Sequence, residues 1–165
     1  MRHLVIFDKG LAYHHTEGKI EPLNVQGWIY DIDEYGNLLT RKPTDEMAVG
    51  IFNNHSSMPA GKPVICAGIL SAVQGQITKI DNNSGHYKPT KDDLRNAISI
   101  LNEYGVNLNA LEVSNNTPGD AFDINAAQFL FRGTEPTQGV KRGNVTMGGQ
   151  RPQPRRGPII GGQRQ

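Results

Sequence analysis

Apolar and polar positions along the first half of the chain alternate in short runs closed by turn residues. Leu4–Phe7 is a β-branched and aromatic run that stops at Asp8-Lys9-Gly10, and Leu11–His15 is its expected hairpin partner. Thr16-Glu17-Gly18-Lys19 reads as the next turn. Trp28–Ile32 alternates in part and ends at Glu34-Tyr35-Gly36-Asn37, after which Leu38–Arg41 returns antiparallel. Gly50-Ile51-Phe52 is a further short apolar run. Val64–Val73 and Gln76–Ile80, joined around Gln74-Gly75, predict another hairpin.

The pattern changes period after Thr90. Leu94, Ala97, Ile98, Leu101 and Tyr104 form one helical stripe, so the spacing predicts a helix over Lys91–Tyr104. Thr90 is a suitable N-cap, Asp93 puts a carboxylate near the positive end of the helix dipole, and Gly105 is the expected stop. Leu108–Val113 reads as a last strand. Ala121–Arg132 carries both signals, strand alternation in Phe122, Ile124, Phe129 and Phe131 and helix preference in Ala126-Ala127-Gln128. The expected fold is α+β, a mainly antiparallel sheet with one well-defined helix packed on it.

Composition divides the chain. From Gly133 onward there are eight Gly, four Pro and six Lys or Arg against a single acidic residue, Glu135. Such a segment buries too little to offset its ordering entropy, so residues 133–165 are expected to be a disordered basic tail and residues 1–132 one α+β domain. The tail carries +5 and the domain −4, which the whole-chain value of +1 conceals. The tail arginines offer loose contact to nucleic acid or an acidic surface, though no aromatic residue is there to stack on a base.

One cysteine, Cys66, excludes an internal disulfide and a cysteine-based zinc cage. No signal-peptide pattern and no membrane-length apolar run is present, so a protein without a membrane role is expected, cytoplasmic or delivered by a specialised secretion system.

Candidate chemistry gathers in two polar clusters that bracket the apolar stretch from Pro63 to Ile80. These are Asn54-His55-Ser56-Ser57 and Ser84–Thr90. Loops at strand ends are where a scaffold presents reactive groups. A histidine beside a hydroxyl can act as its base, which makes His55, Ser56, His86 and Tyr87 the catalytic candidates. Ser57, Gly61, Ser84 and Thr90 are the substrate-binding candidates. Adjacent serines on extended backbone face opposite ways, and no acidic partner stands at triad spacing. The opposing reading makes Ser84–Thr90 a rigid strand-to-helix turn, with Pro89 holding Lys88 extended. His14-His15 should point its rings to opposite faces of a strand. A metal site from His55, His86 and Asp81 has no short ligand spacing, and none is assigned.

His55-Ser56-Ser57-Met58-Pro59-Ala60-Gly61, then Ala67-Gly68, Ser84-Gly85-His86-Tyr87-Lys88-Pro89-Thr90 and Leu101 through Val106-Asn107-Leu108 together carry a resemblance. They resemble the central domain of the plant IQ-motif calmodulin-binding protein family, a module also expected in bacterial toxin- or effector-like proteins. The resemblance implies the domain fold and a shared site at His55, Ser56, Gly61, Ser84, His86 and Tyr87. No IQ helix is present in this sequence, so calmodulin is not supported as a partner at this point. Cys66 falls at a small apolar position of the family, which implies a buried thiol.

Two functions follow. One is an effector- or toxin-like enzyme, a transferase of ADP-ribosyltransferase type that would use NAD, with Glu103 or Glu112 as its late carboxylate. The alternative is a non-catalytic module that binds a protein partner and is tethered by its basic tail.

Overall fold

Three two-residue turns set the tight hairpins of the sheet. Lys9-Gly10, Glu17-Gly18 and Gln74-Gly75 each place both residues at positive φ, the geometry whose twist matches that of flanking antiparallel strands. The computed structural model describes residues 2–43, 63–85, 87–132 and 140–141. Strands β1 (Arg2–Asp8), β2 (Leu11–Thr16) and β3 (Lys19–Pro22) form a meander, followed by β4 (Val25–Asp33) and β5 (Leu38–Arg41). Strands β6 (Val64–Val73) and β7 (Gln76–Asp81) make the second expected hairpin.

Helix α1 (Lys91–Glu103) fits the predicted stripe. It is a crossover: β8 (Glu112–Asn115) returns parallel to β7, so the sheet is mixed at one join and antiparallel elsewhere. The expected strand at Leu108–Val113 begins later, because the Asn107 side chain accepts from the Asn109 amide and winds Leu108–Ala110 into a 3-10 turn. The ambiguous segment resolves into both of its readings. Phe122–Asn125 is β9, and Ala126–Phe131 is a short helix, α2, whose N-cap Asn125 accepts from the Ala127 and Gln128 amides. Val140–Lys141 adds a two-residue strand, β10, to β9. Among the described residues the ten strands lie in the order β10-β9-β8-β7-β6-β4-β5-β1-β2-β3.

One face of the sheet and the stripe of α1 make the core. Tyr30, Ile32, Leu38, Cys66, Leu70, Ile77 and Ile80 meet Leu94, Ala97, Ile98 and Leu101, all essentially inaccessible. Each large side chain buried there contributes about 1.5–3 kcal/mol. Val106 folds back beneath the helix end, its amide bonded to Leu101 O. Tyr104 then stacks on Phe7 at 4.4 Å, and its hydroxyl donates to Gly36 O. No helix among the described residues is long and apolar enough to cross a membrane.

Candidate functional site

The turn from β7 into α1 lies over the C-terminal ends of the parallel pair β7 and β8. That is the place where open sheets with crossover helices present ligand sites. Its backbone is closed by its own serine. The Ser84 amide donates to Asn82 O, the Lys88 amide donates to Ser84 O at 2.9 Å, and the Tyr87 amide donates to Ser84 Oγ at 3.3 Å. Closing the turn this way draws Lys88 to φ 47°, not to the extended backbone expected before Pro89. The one carbonyl-to-amide closure therefore outweighs the steric preference.

Thr90 caps α1 in a full capping box. Its hydroxyl accepts from the Asp93 amide at 3.1 Å, and the Asp93 carboxylate accepts from the Thr90 amide at 2.7 Å. Thr90→Ala should therefore cost about 1 kcal/mol, read as a lowered urea midpoint. The hydroxyls of Ser84 and Thr90 both accept backbone amides of the turn and helix start.

Asn82 is the hub beneath. Its side-chain amide donates to Pro89 O and to Asn115 Oδ1, and its carbonyl accepts from the Asn116 amide at 2.7 Å. Asn115 donates onward to Asp120 O. Lys91 Nζ lies 2.6 Å from Asp120 Oδ2, both side chains nearly inaccessible, with the ammonium 5.7 Å from the Phe122 ring centre. The turn is thus braced by buried polar groups from three segments.

Tyr87 points away from this hub. Its hydroxyl is buried, and burial together with the Asp31 carboxylate raises its pKa. Asp31 is fully buried on β4, on the sheet face opposite α1, flanked by Leu39 and Ala67. The sequence reading missed it. The available signal was an acidic residue inside Trp28-Ile29-Tyr30-Asp31-Ile32, where a charge is almost never buried without partners. Its neighbour Tyr30 faces the core. There its hydroxyl donates to Asp81 O at 2.6 Å and lies 3.4 Å from Cys66 Sγ, and burial raises its pKa strongly.

Cys66 is inaccessible, as expected, and burial pushes its thiol up to about 12. A native thiol at pH 8 should therefore resist thiol reagents and react only on unfolding. From the ordinary 9.0 up to that value the unfolded thiol loses its proton first, so stability falls as pH rises. The slope reaches about 1.4 kcal/mol per pH unit, measurable as falling urea midpoints.

His55, Ser56, Ser57, Gly61 and His86 lie outside the described residues. Of the candidates that are described, Ser84, Tyr87 and Thr90 share one turn, and Tyr87 alone turns toward Asp31. Asp81 is held by the Ile69 and Asn83 amides. Among the described residues no three His, Cys, Asp or Glu side chains converge as metal ligands. Glu103 and Glu112 are both exposed, at the end of α1 and the start of β8.

A family model described as "IQ motif-containing protein middle domain" matches residues 2–94. Three similar curated proteins come from Arabidopsis thaliana. "IQ domain-containing protein IQM3" is 38% identical over 60 residues, 36% of this chain and 13% of that protein. "IQ domain-containing protein IQM1" is 34% identical over 84 residues, 48% and 17% of the two chains. "IQ domain-containing protein IQM5" is 27% identical over 111 residues, 67% and 21%. The chain therefore spans about a fifth or less of the length of these relatives. No solved structure gives a significant match. These matches correct the setting aside of calmodulin on the missing IQ helix, because the matched family is one named for its IQ motif. By the extent of the match, the chain belongs to the family of the IQ motif-containing protein middle domain.

Proposed function

We propose that this chain is a non-catalytic protein-binding module. The observation that supports the reading is a set of exposed apolar side chains on the sheet face opposite α1, carried by β1 and β3. Leu4, Ile6 and Ile20 are 51%, 42% and 62% exposed. Register lines Ile6 up with Tyr13 and Pro22 across three strands, and sets Ile20 beside His15. Single exposed apolar residues are ordinary, but a contiguous set marks an interaction surface. It extends onto β3, the last strand in the sheet order among the described residues, whose four residues are all exposed. An open edge of this kind accepts an added strand through its main chain.

Family membership makes calmodulin the first partner to try, and the basic tail would favour an acidic partner of that kind. Of the catalytic candidates only Tyr87 lies among the described residues. The hydroxyls of Ser84 and Thr90 hold the turn, Glu103 is exposed at the end of α1, and Glu112 lines an open groove with Asn24, Ser71 and Lys79.

The test compares the wild-type chain with the double variant Ile6→Lys/Ile20→Lys. Purified calmodulin is titrated in calcium and in EGTA, and crosslinked partners are compared from lysate. Both positions are exposed, so the variant should keep its stability to within about 0.5 kcal/mol per site while partner affinity falls tenfold or more. Binding that ignores the double variant would overturn the surface. NAD consumption by the wild type, abolished in Tyr87→Phe, would replace the reading with a transferase acting through His55, Ser56, His86 and Tyr87.

A further inference from the structure

On the opposite face of the same strands, His3 of β1 and His14 of β2 approach each other. Val5 pairs with His14 across the ladder, which puts His3 diagonal to His14 on one face. The ring centres are 5.5 Å apart with planes at 83°. Two imidazoles on one tetrahedral ion, each with a metal–nitrogen bond of about 2.0–2.1 Å, have ring centres about 5 Å apart. The separation of the ring centres is therefore close to that of two imidazoles on one ion.

We propose that His3 and His14 form an open site for a divalent transition-metal ion. The two imidazoles are the protein's ligands, and water or a donor from a bound molecule fills the remaining positions. Three further features agree with this. Thr16 Oγ1 lies 3.2 Å from His14 Nδ1; with that nitrogen donating to the hydroxyl, the Nε2 lone pair is left for the ion. Glu21 stands directly across from His14 on β3 and adds negative charge, while Lys19 stands across from Thr16. Both histidines are half-buried, so solvent reaches them.

An edge-to-face aromatic contact with no affinity for metal is the competing account of the same distance. The protein carries its own reporter to separate them. Trp28 is the only tryptophan, and its ring centre lies 6.2 Å from that of His3. Titration of the untagged chain with Cu2+ should quench Trp28 fluorescence saturably at one equivalent. Zn2+ should compete, more weakly, as the usual order of divalent affinities requires. His14→Ala should weaken Cu2+ binding at least tenfold. His15→Ala, which removes the neighbouring ring on the other face, should leave it unchanged.

Quenching that survives His14→Ala overturns the proposal. If that residual binding vanishes when the amino terminus is acetylated, it is a chelate of the terminus with His3. If it persists, it is adventitious. Quenching lost equally in His14→Ala and His15→Ala also overturns the proposal.

Discussion

Replacing Lys91 with methionine is expected to lower the free energy of unfolding by about 3–5 kcal/mol, the cost of leaving a buried carboxylate without its counter-charge. Lys91 Nζ is 2.6 Å from Asp120 Oδ2, and neither side chain has appreciable contact with water. The methionine keeps the length and most of the packing over the Phe122 ring, so the loss is electrostatic and not a cavity. Small domains have only about 5–15 kcal/mol in hand, so the variant should unfold in markedly less urea. The compensating double variant Lys91→Met/Asp120→Leu should recover most of the loss, since replacing both charges by apolar groups is often near neutral. If Lys91→Met alone unfolds at the wild-type midpoint, the ammonium and carboxylate are solvated and the brace between α1 and the loop after β8 is not a buried one.

The same ion pair marks the limit of what the amino-acid order discloses. Lys91 opens a helix whose stripe, cap and stop are all local signals, and each was legible: Leu94 to Tyr104 by period, Thr90 by its hydroxyl, Gly105 by its freedom at positive φ. The X-Gly turns were legible for the same reason, as the geometry they require is set within two residues. Partners that lie far apart in sequence were not. Nothing local tells Lys91 that Asp120 is its counter-ion, or Asn82 that it will hold Pro89, Asn115 and Asn116 together.

The parallel return of β8 depends on where α1 delivers the chain, and Asn107 delays the strand by capping a 3-10 turn first. Ala121–Arg132 carried two periods because it contains two elements that meet at Asn125. Val140–Lys141 gives almost no local signal; it is a strand because Phe122–Asp123 offers it a ladder.

The candidate site divides along the same line. Ser84 and Thr90 were singled out as polar residues at a strand end, and they are there, but their hydroxyls hold backbone amides. Tyr87 gains its particular environment from Asp31, on a strand fifty-six positions earlier in the chain. A residue-type count in a loop finds the first kind of group. The second kind needs the sheet order β7-β6-β4, which brings the end of β7 across β6 to the middle of β4.

That sheet order also explains why Ala67-Gly68 belongs to the resemblance that the sequence carries. Gly68 sits on β6 opposite Tyr30, and a Cβ there would fall far inside contact distance of the Asp81 carbonyl and 2.6 Å from Asp81 Oδ1. Asp81 has no freedom to retreat. Its carbonyl accepts from the Tyr30 hydroxyl at 2.6 Å, and its Oδ1 accepts from the amides of Ile69 and Asn83 at 2.8 and 2.9 Å. A methyl group at position 68 therefore pushes the end of β7 outward and parts Tyr30 from its acceptor. Overpacking and one lost buried hydrogen bond together make Gly68→Ala cost about 2–4 kcal/mol.

The route of that loss can be isolated. In a double-mutant cycle with Tyr30→Phe, the two changes should cost clearly less together than their sum, because both remove the same Tyr30–Asp81 contact. Native-state labelling of Cys66 should accelerate in Gly68→Ala, since the thiol lies beside the displaced phenol. Strict additivity, with Cys66 as inert as in the wild type, would mean that β7 absorbs the methyl without moving its end. The glycine would then serve backbone geometry alone.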